Sequence, residues 1–392
     1  MTRVRLGEIC ERLSSGKSIK AAEVQDSGTY PVIGGNGLRG YAERYNFDGE
    51  CAVIGRQGAA CGNVRFHSGK AYMTEHAVVA VANESNDPHY LAYLLSTMSL
   101  GRLSAQSAQP GLSVKTLSKQ EIDLPSLEKQ RQVVEVIGSI DAKIGVNAKL
   151  NGYLEEQCEA VANREKGLAV ELSSLCDLVK EKADYNEANF DTYVSTESLL
   201  PGKKGRQAPS SLPQTGKVTV YKDGDILVSN IRPYFKKIWY ADRTGTCSGD
   251  VLVFRAKQPE QSGYLYSCMR SDAFFDYIMK GAKGTKMPRG DKKQMLTYKV
   301  ASNPSGATVD FIESALSQAS SSSKEKHRLA ALRDVLLPKL MSGEIDVSKV
   351  DLKQLNSHLA KSLRQFGRHD SPHKNGAART PASRPVSLAI AS

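Results

Sequence analysis

Residues 127–165, LEKQRQVVEVIGSIDAKIGVNAKLNGYLEEQCEAVANRE, carry a seam of positions spaced alternately by three and four. Val133, Ile137, Ile140, Ile144, Asn147, Asn151, Leu154, Cys158 and Val161 form it, the period of one helix packed along another. At about 1.5 Å per residue such a helix is a rod of about 58 Å, longer than most globular helices, and it needs a partner. A second stretch, residues 309–340, keeps the same rhythm through Ile312, Ala315, Ala319, Leu329, Leu336 and Leu340, with Leu332 beside it and a polar middle at 320–326. Pro338 is expected to kink or end that helix. The order is block, rod, block, rod, and two rods of similar length are natural antiparallel partners. Asn147 and Asn151 on the first seam, with Ser322 and Lys326 on the second, would cost stability but fix register and orientation, unless they line a solvated face.

The two blocks are α+β in character. In residues 1–126, Leu6, Ile9, Cys10 and Leu13 share one helical face and predict an amphipathic helix ending at SSG. YPVI, CAVIGRQG, CGNVRF and HAVVAVAN read as strands between glycines and asparagines, and PHYLAYLLSTMSL reads as a helix. Residues 172–308 repeat this plan. LGEIC recurs as LSSLC, FDGECAVIGRQG as YKDGDILVSNIRP, EHAVVAV as GDVLVFR and PHYLAYLL as SGYLYSCM. The last three pairs keep an offset of about 174 residues, which points to duplication. The segments are therefore 1–126, 127–171, 172–308, 309–350 and a basic tail, 351–392, too poor in large apolar residues to order itself and expected to be disordered.

Charge falls unevenly along the chain. Residues 1–126 balance 13 basic groups against 12 acidic ones, whereas residues 172–308 carry 21 against 14. The rods are near neutral, so the net +11 sits in the second block and the tail. The seven cysteines are scattered and never form CxxC, so neither a disulfide framework nor a zinc site is indicated, and a reduced, cytoplasmic setting fits. No leader-like apolar region or membrane-length run occurs. Phosphate-loop, HExxH and GxSxG motifs are absent, as are methyltransferase and nuclease signatures, and the expectation is a noncatalytic chain with no metal. Gly35, Gly37 and Gly40 spell GxGxxG, but no helix is expected directly behind them to receive a pyrophosphate. The stretch is either a recognition loop with Asn36 and Arg39 as donors or a plain glycine turn. Glu75–His76 reads as a structural pair.

Donors suited to DNA do cluster. SNIRPYFKKIWY interleaves Ser229, Asn230, Arg232, Lys236 and Lys237 with Tyr234, Phe235 and Trp239, and KGAKGTKMPRGDKK offers Lys283, Thr285, Lys286, Arg289 and Lys292. In the first block the counterparts are Arg56, Gln57, Asn63, Arg65, Gln106, Gln109 and Ser113. Lysines and backbone amides suit phosphates, while Asn, Gln and Arg make bidentate contacts to base edges. A near-neutral reader and a basic reader are expected. A noncatalytic protein-interaction scaffold that does not bind DNA is the alternative.

YPVIGGNGLRGYAERYNFDGE, IGRQGAACGNV, TEHAVV, AQPGLSVKTLSKQEIDLPSLEKQRQVV, GTKMPRGDKK and LRDVLLPKLMSGEIDV resemble the specificity subunit of type I restriction-modification systems, over essentially residues 1–350. Gly138 and Gly145 stand where helix formers would be expected. The resemblance implies two pseudo-repeated α/β target-recognition domains separated by two long antiparallel, coiled-coil-like helices, each domain reading half of a bipartite DNA target. It implies docking of two methyltransferase subunits on the helices and assembly with restriction/translocase subunits. S-adenosylmethionine and ATP with Mg would belong to those partners, with no cofactor in this chain.

Overall fold

The structure, a computed structural model, describes residues 1–104 and 111–350. It divides into two compact units, Met1–Lys143 with the stretch from Leu329 onward, and Ile144–Arg328. Gln106, Gln109 and the tail expected to be disordered, 351–392, lie outside the described residues.

In the first unit the strands are β1 (Thr2–Arg5), β2 (Cys10–Ser15), β3 (Tyr30–Gly34), β4 (Gly37–Ala42), β5 (Glu50–Gly55), β6 (Val64–Ser68), β7 (Tyr72–Met73) and β8 (Ala77–Ala82). Helices α1 (Pro88–Thr97) and α2 (Val114–Ser118), strand β9 (Glu121–Leu124) and the long helix α3 (Leu127–Ala162) follow. Strands β2-β8-β5-β6 make an antiparallel sheet, β4-β3-β7 a smaller one, and β1 pairs with β9. The central strands ECAVIG and AVVAVA are continuously apolar because both their faces are covered. Ala52, Ile54, Val78 and Ala80 pack toward α1, while Cys51, Val53, Ala77 and Val79 pack against Phe47, Ala71 and Met73. Helix α1 starts where Asp87 accepts a hydrogen bond from the Tyr90 amide and Pro88 takes the first helical position.

The amphipathic helix expected at the N-terminus does not form. Leu6–Glu8 is a single 3-10 turn between β1 and β2, which pair with β9 and β8. The window is too short for its period to separate a helix from a turn, and strand pairing with distant residues decides it.

The second unit contains β10 (Ala169–Glu171), α4 (Leu172–Leu175), β11 (Cys176–Leu178), β12 (Lys182–Asp184), β13 (Lys217–Tyr221), β14 (Ile226–Ser229), β15 (Ile238–Tyr240), β16 (Gly245–Cys247) and β17 (Val251–Ala256). Then come α5 (Ser262–Met269), α6 (Asp272–Lys280), α7 (Lys292–Leu296), β18 (Lys299–Ala301) and the second long helix, α8 (Gly306–Ser342). Its main sheet, β11-β17-β14-β15, repeats the connectivity of β2-β8-β5-β6, and β10 pairs with β18 as β1 does with β9. The alternation repeats too: Ile226, Val228, Leu252 and Phe254 face one core, Leu227, Val251 and Val253 the other. The copies diverge at the small sheet, where β3 pairs with β7 in parallel but β12-β13-β16 is antiparallel throughout. The duplicated element is thus a frame carrying different attachments.

Helices α3 and α8 each contribute to both units. In the first, Val133, Val136 and Ile137 share a core with Leu340 and Met341, Ile140 is buried and Leu336 packs at its edge. There the Arg333 guanidinium donates to Asp141 at 3.0 Å, and the Tyr93 hydroxyl donates to the same carboxylate at 2.7 Å. In the second, Asn147 donates to Glu325 at 2.8 Å and Asn151 to Ser323 at 2.7 Å, so rising numbers on α3 meet falling numbers on α8. The asparagines find partners one residue away from the expected Ser322 and Lys326. Of the other seam positions, Ile312 is buried, Leu154 packs against the same core, and Ile144 and Leu329 are half-buried. Helix α3 runs unbroken through Gly138 and Gly145. Helix α8 continues past Pro338 to Ser342. A proline so near the end removes a single backbone hydrogen bond, and buried Leu340 and Met341 hold the final turn in place.

Helix α3 is tied to its second-unit core by charge as well. Arg270, with 7% of its side chain exposed, donates to Glu159 at 2.8 Å and Glu155 at 3.3 Å, and the Tyr266 hydroxyl also donates to Glu155. Burial pushes the Glu155 carboxyl up, against the pull of Arg270. Removing one member of such a group leaves the others buried and uncompensated. Arg270→Ala is expected to lower stability by about 3 kcal/mol in denaturant melts, and a loss under about 1 kcal/mol would show that water replaces the arginine.

Candidate nucleic-acid interface

In the first unit, three loops that follow strands of the two sheets converge on one edge. The β3–β4 hairpin turns through Gly35 and Asn36, β5 leads into Arg56–Asn63, and β7 leads into Glu75–His76. They pack backbone against backbone: the Arg56 amide donates to His76 O at 2.9 Å, and a Cβ on Gly35 would sit 2.7 Å from that oxygen. The Arg65 guanidinium donates to Asn36 O, and Gln57 Oε1 lies 3.1 Å from His76 Nδ1. His76 Nε2 in turn lies 3.4 Å from Glu75. Asn36, Arg39, Gln57, Asn63, Arg65 and His76 are exposed, and Arg56 is half-buried. Of the three glycines, Gly35 lies in the hairpin turn and Gly37 and Gly40 lie within strand β4, so a strand rather than a helix follows the turn.

Two residues change standing here. Ser113 caps α2, its hydroxyl accepting from the Thr116 amide, and so has a structural task. His76, read from sequence as structural, stands half-exposed beside Gln57 and joins the donor cluster. Its signal is the TEH step between a turn and a buried strand, which marks a loop tip at the end of a sheet.

In the second unit, the loop after β14 and the loop between α6 and α7 are stitched together. The Arg232 amide donates to Pro288 O at 2.8 Å, the Gly290 amide to Asn230 O at 3.2 Å, and Lys283 and Arg289 exchange backbone hydrogen bonds at 2.9 Å. Lys283, Thr285, Lys286, Arg289 and Lys292 stand exposed on this surface with Tyr234. Arg289 lies 3.3 Å from Asp250 and Lys283 3.4 Å from Asp291, exposed pairs that a phosphate can exchange at little cost.

Four expected contact residues turn out to shape these loops instead. Ser229 and Asn230 are buried, Ser229 donating to Ile231 O and Asn230 holding Asp250 and Gly290 through its backbone. Lys236 pairs with the exposed Asp272 at 3.0 Å, and Lys237 donates to Thr196 O at 2.6 Å, where burial lowers its pKa. Arg232 is half-buried in a left-handed backbone conformation. Trp239 is occupied internally, under the Arg206 guanidinium and edge-on to Tyr221. In SNIRPYFKKIWY, Ser229 and Asn230 are therefore buried and both lysines are paired, while Tyr234 and Phe235 face outward and Trp239 packs inside. No sequence period marks that inversion.

The convergence in the first unit depends on bare backbone. A Cβ on Gly55 would lie 2.0 Å from Ala60 O and 2.8 Å from Gly35 O, both main-chain atoms that cannot swing away. Gly55→Ala is expected to cost about 2 kcal/mol and to raise amide exchange in the 34–40 and 56–62 loops together. Unchanged protection in either loop would mean that the two are not coupled.

The family described as type I restriction modification DNA specificity domain matches residues 1–156. The type I restriction enzyme EcoprrI specificity subunit of Escherichia coli is 38% identical over 143 residues, which make up 36% of this chain and 35% of that relative's length. In fold, the chain is similar to the crystal structure of the type I restriction-modification system S subunit from M. genitalium, with a TM-score of 0.54, 15% identity, and coverage of 86% of this chain and 95% of that one. Residues 1–156 therefore match the type I restriction modification DNA specificity domain family, and the chain spans about a third of the length of the curated specificity subunit it matches.

Proposed function

We propose that the chain is the noncatalytic subunit that gives a type I restriction-modification complex its DNA sequence specificity, each unit reading one half of a bipartite target. The observation that carries this reading is the repeated sheet connectivity, β2-β8-β5-β6 and β11-β17-β14-β15, with different donor loops on each copy. One frame with two sets of loops is what an asymmetric two-part target requires. Asn36, Arg39, Arg56, Gln57, Asn63 and Arg65 would serve one half-site. Lys283, Thr285, Lys286, Arg289 and Lys292 would serve the other, with more of its affinity coming from phosphates.

Helices α3 and α8, each shared between the units, would set the number of unread base pairs and dock two methyltransferase subunits. Those subunits would carry S-adenosylmethionine, and restriction/translocase subunits would bring ATP and Mg. Among the described residues no helix is long and apolar enough to cross a membrane.

Mapping methylated adenines in a host carrying the complete system tests the assignment, the expected result being two fixed short sequences at constant separation. Deleting one heptad from each long helix is expected to change that separation and leave both sequences as they were. Arg289→Ala is expected to weaken discrimination at one half-site by about 1–3 kcal/mol if it is bidentate to guanine. An equal loss on all sequences with a shallower salt dependence would make it a phosphate contact instead. Salt-insensitive binding to protein with no DNA footprint would favour the scaffold alternative.

A further inference from the structure

Resting on that reading, we propose that Tyr234 and Phe235 form an apolar reading element that contacts thymine methyl groups in the half-site of the second unit. The loop that carries them is built against the usual preference of a surface. Tyr234 is 47% and Phe235 39% exposed, with ring centroids 4.6 Å apart, while the two lysines that follow them are half-buried and paired, Lys236 with Asp272 and Lys237 with Thr196 O. Asp272 gathers Lys236 at 3.0 Å and Lys203 at 2.8 Å, and these two lysines hold its carboxyl below the usual range. A solvated loop would be expected to expose its ammonium groups and cover its rings.

The backbone is distorted to achieve this. Among the described residues four non-glycine residues have positive φ, and three of them meet here: Arg232 and Lys236 bracket the single 3-10 turn Pro233–Phe235, and the Lys203 amide donates to Lys236 O at 2.9 Å. L-residues reach that region only at a cost, and such outliers persist where surrounding structure imposes them, commonly at ligand contacts.

The setting matches a groove floor with phosphate walls. Met287, 49% exposed, stands on the neighbouring loop that Arg232 fastens through Pro288 O, which extends the apolar centre. Lys283, Lys286 and Arg289 stand exposed on that same loop and Lys292 at the start of α7, and Arg289 bridges Ile231 of the aromatic loop through the backbone. An apolar protein partner would have no use for the exposed cations of the loop fastened beside the patch, whereas duplex DNA offers a thymine methyl at the base edge and phosphates on both sides.

The test uses the full chain assembled with its methyltransferase subunits, on duplexes in which deoxyuridine replaces thymine in the mapped half-site. The unaltered complex should lose about fourfold in affinity for each contacted methyl removed. A Tyr234→Ala, Phe235→Ala double variant should bind thymine and deoxyuridine duplexes equally. It should also keep its discrimination at the other half-site and its melting temperature, since both rings are exposed. The proposal is overturned by an equal uracil penalty in both proteins, by none in the unaltered complex, or by a half-site that lacks thymine. It is overturned too by a variant that binds DNA normally but fails to assemble, which would assign the patch to a protein partner. An unaltered complex with no sequence preference on DNA would sink the functional reading as well.

Discussion

Each unit depends on two central antiparallel strands that are covered on both faces, β5 with β8 and β14 with β17. Burial on both sides makes these strands the most expensive part of the fold to alter, since every side chain along them meets a packed neighbour. Their ends are free of that demand. The loops leaving the ends of the sheets can therefore differ between copies while the sheets hold the same connectivity, and most of the described candidate reading residues sit on such loops or at strand tips, with Arg39 inside β4 and Lys292 at the start of α7.

The long helices follow a second logic. Their apolar positions supply association, but Asn147 and Asn151 sit among them and find partners in Glu325 and Ser323. A polar group in an apolar seam is satisfied in one alignment and left unpaired after a slip, so it selects the alignment more than it strengthens it. The Arg270 cluster then joins α3 to the second-unit core through Glu155 and Glu159, and Lys203 extends it from Glu159 to Asp272 and the Tyr234 loop. Helix and reading loop in that unit are positioned by one connected set of charges. A heptad seam that only held two helices together would need none of it.

The two candidate surfaces differ in what their side chains do. In the first unit, glycines let three loops touch through their main chains, and the side chains of Asn36, Gln57, Arg65 and His76 project outward. In the second, main-chain hydrogen bonds again join the loops and side chains add to them: Lys236 and Lys237 are spent on Asp272 and Thr196 O, and Tyr234 and Phe235 take the outside. A block of net charge +7 thus presents fewer free cations at its reading loops than its composition suggests.

Period and repetition were legible without coordinates. The three-four spacing placed both long helices, and buried seam residues such as Ile137, Ile140 and Ile312 follow from it, because helix geometry converts spacing directly into a face. The constant offset between EHAVVAV and GDVLVFR likewise revealed the duplicated strands. Spacing could not distinguish a helix from a 3-10 turn at Leu6–Glu8, since strand partners 116 to 122 residues away decide that. Nor could it tell which of Ser229, Asn230, Lys236 and Lys237 face solvent. Side-chain direction in an irregular loop has no period; it is set by what the rest of the fold places beside it, here Asp250, Asp272, Gly290 and the Thr196 carbonyl. The sequence by itself determined the two long helices and the duplication of the central strands, and only the tertiary structure decided the turn at Leu6–Glu8 and which residues of each loop are left facing outward.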